Sequence, residues 1–158
     1  MRTSFCAFNI SRQSFVNLGV AVADTPLSRL RGLIGKMEMR SDEAVWLVPS
    51  HGIHTFGLKF AIDVLYLDAQ HRVIHVIENL KPWRLAGIRW QCASVLELPA
   101  RSIYGSGTQV GDHLLICSAE KMRDHWASRH PEQSEESPRS DSKQKAESQC
   151  ACGPEPGA

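Results

Sequence analysis

Two histidines three residues apart, His51 and His54, and the lone carboxylate Asp63 are the first residues whose types and spacing offer chemistry. An imidazole beside a carboxylate is an acid–base pair, and two imidazoles with a third ligand begin a zinc site. Residues three apart on a regular strand face opposite sides, so His51 and His54 share a metal only if Gly52 bends the chain. Asp63, Asp112 or His113 would then be the third ligand. No HExxH-type pairing is present, and a backbone-bonded His54 with a solvated His51 is the plainer reading. No metal and no cofactor are therefore expected. A nucleophilic triad can be drawn from Cys92 or Ser94 with His54 and Asp63, but no nucleophile elbow or oxyanion loop accompanies it. Cys150-Ala151-Cys152 could hold a metal or a redox couple, yet it stands in a polar tail. Arg29, Arg31, Lys36 and Arg40, with Arg84 and Arg89, could form an anion-binding rim, or simply a solvated helix face and loop charges. Trp46, Trp83 and Trp90 are too scattered along the chain to read as a stacking platform.

The element that must position these residues is the stretch from Ser50 to Asp68. Phe56, Leu58, Phe60, Ile62, Val64 and Tyr66 share one parity, while Thr55, Gly57, Lys59, Ala61 and Asp63 share the other. That two-residue period predicts extended chain with one buried face. Strands are expected at 14–23, 44–48, 53–56, 62–67, 72–77, 93–100 and 111–117. Leu65, Leu67, Val73 and Ile77 are read as one inward side of a hairpin. Thr25 and Pro26 read as the start of a helix of about ten residues that Gly35 ends. Asn79–Arg84 reads as a loop, and Gly105-Ser106-Gly107 as a turn rather than a phosphate cradle. Asp63 must be satisfied inside its apolar run. Its oxygens either accept backbone N–H bonds of a turn or meet a cation such as Arg31 or Lys59, or else the carboxylate faces His54 across a cleft.

Several separated motifs resemble one family. Arg29, Gly32, Leu33, Gly35 and Lys36 fit its Arg-x-x-Gly-Leu-x-Gly-basic pattern. Ile53-His54-Thr55-Phe56-Gly57 with Pro82-Trp83-Arg84, then Val95-Leu96-Glu97-Leu98-Pro99-Ala100, and finally Gly111-Asp112, fit the rest. Together they resemble domain of unknown function 192, small bacterial and archaeal proteins without an established activity. Some relatives carry a secretory leader. The resemblance spans about residues 14–117 and implies a β-rich α+β domain, a strongly curved, barrel-like sheet with one main short helix packed against it. The family usually has Gly where Arg101 stands, so a positive φ there would strain Arg101.

Composition divides the chain of 158 residues into a segment 1–13, a domain 14–118 and a polar tail 119–158. The tail lacks Ile, Leu, Val, Phe and Tyr, with only Met122 and Trp126 as large apolar groups. It is expected to be helical to about 129 and disordered beyond. Five cysteines at irregular spacing fit reduced thiols, and no leader or spanning helix is legible, so the cytoplasm is the expected compartment. A formal net charge of +1 gives no basic face, so neither nucleic acid nor membrane is expected as a partner. The leading function is a noncatalytic ligand- or peptide-binding module. Its groove would involve His54, Thr55, Asp63, Trp83 and Arg84, and would take an unidentified small molecule or protein. The alternatives are a hydrolase-like enzyme using His54 and Asp63, with or without a metal, and an assembly partner docking through a sheet edge.

Overall fold

β-Branched and aromatic residues dominate the apolar runs, and the chain pairs them into sheet. The structure, a computed structural model, describes residues 3–25, 33 and 35–129. Among these, nine strands run in chain order: β1 Thr3–Asn9, β2 Ser14–Ala23, β3 Ala44–Leu47, β4 Ile53–His54, β5 Ile62–Leu67, β6 Val73–Leu80, β7 Leu85–Ala86, β8 Ser94–Pro99 and β9 Leu114–Ser118. Two helices join them, α1 Ser102–Ser106 and α2 Ala119–Arg129. Seven strands form one sheet in the order β6-β5-β8-β3-β2-β1-β9, and β4 pairs with β7 in a separate two-stranded ribbon. Only β2 and β3 run parallel; the other pairs are antiparallel.

The sheet curls into a half-barrel. Its outer strands approach each other at one end, where Arg72 bridges His113, and the Val73 amide donates to the Asp112 carbonyl at 2.8 Å. Register shifts between β1 and β2 sharpen the curl, because each extra residue adds local twist. The concave side is filled by Ala7, Val20, Leu65, Leu67, Leu96, Leu98 and Leu114, with Ile103 of α1 packed into the same cluster. The convex side carries Leu47, Ile62, Val64, Tyr66 and Val95, covered by Leu33, Leu58 and the ribbon residues Ile53 and Ala86. Met122 anchors α2 on Cys6, Phe8 and Cys117. The curved β-rich α+β fold expected from the sequence is the fold observed. The helix expected from Thr25 to Gly35 lies mostly outside the described residues.

Three local expectations are corrected. β5 has two buried faces rather than one, since all six of its residues are buried between the two clusters. Ile77 does not share a side with Leu65, Leu67 and Val73. The register of β6 slips between Val73 and His75, so Val76 takes the concave face and Ile77 the convex one. Gly105-Ser106-Gly107 is the end of α1, where left-handed Gly107 (φ 66°) closes the helix. Thr3–Asn9, in the segment ahead of the expected domain, pairs with both β2 and β9.

Candidate functional site

The ribbon and the loop before β7 form around one buried side chain, Thr55. Its amide donates to the Arg84 carbonyl at 2.8 Å, and its carbonyl accepts from the Trp83 amide at 3.1 Å. Its hydroxyl donates to the Lys81 carbonyl at 2.8 Å and accepts from the Arg84 amide at 2.8 Å. Thr55 is wholly buried, so these bonds form away from competing water. They hold residues 81–84 against β4. They also hold Trp83 at φ 59°, a left-handed conformation that costs a bulky residue about 1 kcal/mol or more.

What this bracing displays is aromatic and exposed. Ile53 and Ala86 point into the core, so their ribbon neighbours His54 and Leu85, paired opposite each other, point out. His54 stacks on Phe56 with ring centroids 5.1 Å apart, and Phe56 meets Trp83 at 6.2 Å. Trp83 is 67% exposed and Leu85 75%, and what distinguishes them from other exposed apolar residues is that Trp83 adjoins Phe56 and Leu85 pairs with His54 in one patch. At the other end of the ribbon the Arg89 amide donates to the His51 carbonyl, and the Trp90 ring lies 6.5 Å from that of His51. Ile88 and Trp90 are exposed there as well. Trp83 and Trp90, distant in sequence from the histidines, thus sit on one ribbon with them, while Trp46 packs against the concave core.

Asp63 lies elsewhere. It is wholly buried, and its two oxygens accept the backbone N–H groups of Asn79 at 2.9 Å and Ile103 at 3.0 Å. One carboxylate therefore ties the end of β6 to the first turn of α1. Both tied places are conformationally special: Asn79 has φ 55°, and Arg101, the residue before α1, has φ 75°. Asn79 and Arg101 line a cleft of about 500 Å³ with Glu78, Ala100 and Tyr104, and Asp63 forms its floor.

Of the five residues expected to line a groove, the structure brings His54 and Trp83 together on the outer face, with Arg84 exposed beside them. Thr55 lies beneath that face, and Asp63 under α1. Among the described residues no hydrogen bond or ring contact joins His54 to Asp63; the His54 ring rests on Phe56 instead. Cys92 and Ser94 are buried, the Cys92 thiol donates to the Ser94 carbonyl at 3.0 Å, and burial pushes that thiol's pKa up. His51 uses Nδ1 on the Cys92 carbonyl. Among the described residues no three His, Cys, Asp or Glu side chains converge as metal ligands. Lys36 pairs with Glu43 at 2.8 Å and Arg40 with Asp42 at 3.0 Å, so these two are not open to an anion, and Arg29 and Arg31 fall outside the described residues. Cys6, Cys92 and Cys117 are free thiols, whereas Cys150 and Cys152 are not described. The contribution of Phe56 and Leu85 was missed. Its signal was available in the odd placement of large apolar residues on both sides of Thr55 and Arg84.

The family described as uncharacterised, domain of unknown function 192, matches residues 8–116. A putative transcription regulator from Sinorhizobium meliloti 1021 superposes with a TM-score of 0.60 at 23% identity, covering 70% of this chain and 90% of that one. A protein of unknown function from Novosphingobium aromaticivorans superposes with a TM-score of 0.61 at 16% identity, covering 71% and 83%. At these identities the likeness concerns the fold. No curated protein matches the chain.

Proposed function

The chain belongs to the domain of unknown function 192 family, and since membership brings no reaction with it, we propose from the geometry that it is a noncatalytic binding module. Its binding surface is the outer face of the β4–β7 ribbon: His54, Phe56, Trp83 and Leu85, with Arg84 at the margin. One observation carries this reading. Trp83 is exposed and left-handed, and a fully buried threonine holds it so. A fold selected for stability alone would place Gly at that φ and an apolar residue inside. Backbone strain beneath an exposed aromatic side chain is the signature of a surface kept for contact. Thr55 and Asp63 support this surface and its loop from opposite ends without meeting the ligand.

The test is amide-resolved NMR of the full chain against separate panels of oligosaccharides, nucleotides and peptides. The reading expects a ligand that shifts the amides of His54, Phe56, Arg84 and Leu85, with the response lost in Trp83→Ala. Ligand responses confined to the cleft residues Asn79, Arg101 and Tyr104 would overturn it.

A further inference from the structure

Resting on the reading of the ribbon as a contact surface, we infer that its partner is the interface of an anionic lipid bilayer. Three observations point there. First, the apolar side chains project rather than line a hollow: Trp83, Leu85, Ile88 and Trp90 are 67%, 75%, 67% and 85% exposed. A small-molecule site half-buries such groups in a concave wall. A side chain that dips between lipid headgroups must instead stand clear of the protein. Second, the residue types are those of the interface. Two tryptophans flank β7, Trp83 before it beside Phe56 and Trp90 after it beside His51, with the exposed Leu85 between them in the chain. Tryptophan favours the headgroup level because its ring is apolar and its N–H is polar.

Third, the charged residues within the ribbon's own segments are all cations. Residues 51–62 and 79–96, which supply both its strands and flanks, contain Lys59, Lys81, Arg84 and Arg89 and no Asp or Glu. All four cations are exposed; Arg89 also lies over the Tyr66 ring at 5.6 Å, and Lys59 reaches the Met37 sulfur at 3.3 Å. Of the three carboxylates that bound these segments in sequence, Asp63 and Glu97 are buried, and the exposed Glu78 lines the cleft with Asn79 and Arg101. Cations ringing protruding aromatic and aliphatic groups complement a surface of phosphate esters over hydrocarbon. Such attachment requires no spanning helix, and no described helix is long and apolar enough to be one. The absence of a membrane segment from the sequence therefore does not bear on it.

The test uses the full chain with phosphatidylcholine vesicles, with and without phosphatidylglycerol, and with soluble poly-glutamate as a second polyanion. Co-sedimentation should require phosphatidylglycerol, weaken with added salt, and shift tryptophan emission to the blue. Trp83→Ala with Leu85→Ser should reduce the bound fraction about tenfold or more, as should Lys81→Glu with Arg84→Glu. Val110→Ser and Lys121→Glu, exposed changes outside the ribbon, should bind like the parent chain. No binding of the folded chain to anionic vesicles at low salt would overturn the inference, as would undiminished binding by the ribbon variants. Poly-glutamate shifting the ribbon amides without vesicle binding would overturn the lipid assignment and leave the contact surface standing. Ribbon amides silent to both polyanions, with another ligand class acting only at the cleft, would remove both.

Discussion

Asp63 shows how a single buried carboxylate can be structural in one direction and leave function to its neighbours. Its two N–H donors come from segments far apart in sequence, Asn79 and Ile103, and both bonds form where water is excluded. Asp63→Asn keeps the volume but turns an amide N–H₂ toward one of those donors. It should cost about 1–3 kcal/mol by chemical denaturation. In a double-mutant cycle with His54→Ala the coupling should stay below about 0.5 kcal/mol, because no bond joins the two side chains. Coupling above about 1 kcal/mol would restore the acid–base pair. Arg101 is the companion case. It occupies φ 75° where the family usually has Gly, so Arg101→Gly should raise stability by about 0.5–1 kcal/mol. A loss of stability would show that the Arg101 side chain has a role its backbone strain conceals. The need to satisfy Asp63 was legible from its apolar neighbours. Its partners were not, because both donors are backbone groups brought close only by the curl of the sheet.

At the scale of elements, most strands were legible, the short β3 and β4 among them, whereas β1 and β7 were not. β2 and β5 occupy the expected ranges 14–23 and 62–67, because each buries enough apolar side chain to hold it in the sheet, although the alternation read from Thr55 to Ala61 is turn rather than strand. The two-residue strands β4 and β7 carry no period at all, and Thr55 rather than hydrophobicity fixes their pairing. β1 was obscured because Cys6, Ala7, Phe8 and Asn9 are all buried, so no alternation marks it as a strand. β8 holds a further consequence. Glu97 is 6% exposed between Val45 and Val64 on the convex face, and burial pushes its carboxyl up to about 8. A carboxyl held above its ordinary value binds more protons folded than unfolded, so stability should fall as pH rises from about 4.5 to about 8. His71 and His75, held down mainly by burial, act in the opposite sense below their ordinary value. Comparing the parent with Glu97→Gln isolates the carboxyl. The parent should lose up to about 1.4 kcal/mol per pH unit relative to the variant across that window. Parallel pH profiles would contradict the protonated assignment.

For the whole molecule, the half-barrel gathers its apolar residues into two sheet faces and a small cluster under α2, while the ribbon stands outside with its aromatic groups uncovered. Residues 131–158 have no Ile, Leu, Val, Met, Phe, Tyr or Trp with which to add to these clusters. Deleting them should move the thermal midpoint by no more than about 2–4 °C; a larger fall would show that they pack on the domain. The curved fold could be read from the strand pattern and family motifs, and His54, Trp83 and Arg84 of the proposed surface were legible as candidates, whereas Phe56 and Leu85 were not. These residues lie on two segments that the Thr55 bonds and the β4–β7 pairing bring side by side. The central claim is that this surface is held against the interest of stability. Its most direct measurement is the thermal midpoint of Trp83→Gly. The substitution relieves the left-handed strain at φ 59° and removes a mostly exposed ring. The midpoint should rise, by about 2–4 °C; a fall of similar size would mean that Trp83 serves the fold, and would contradict the account.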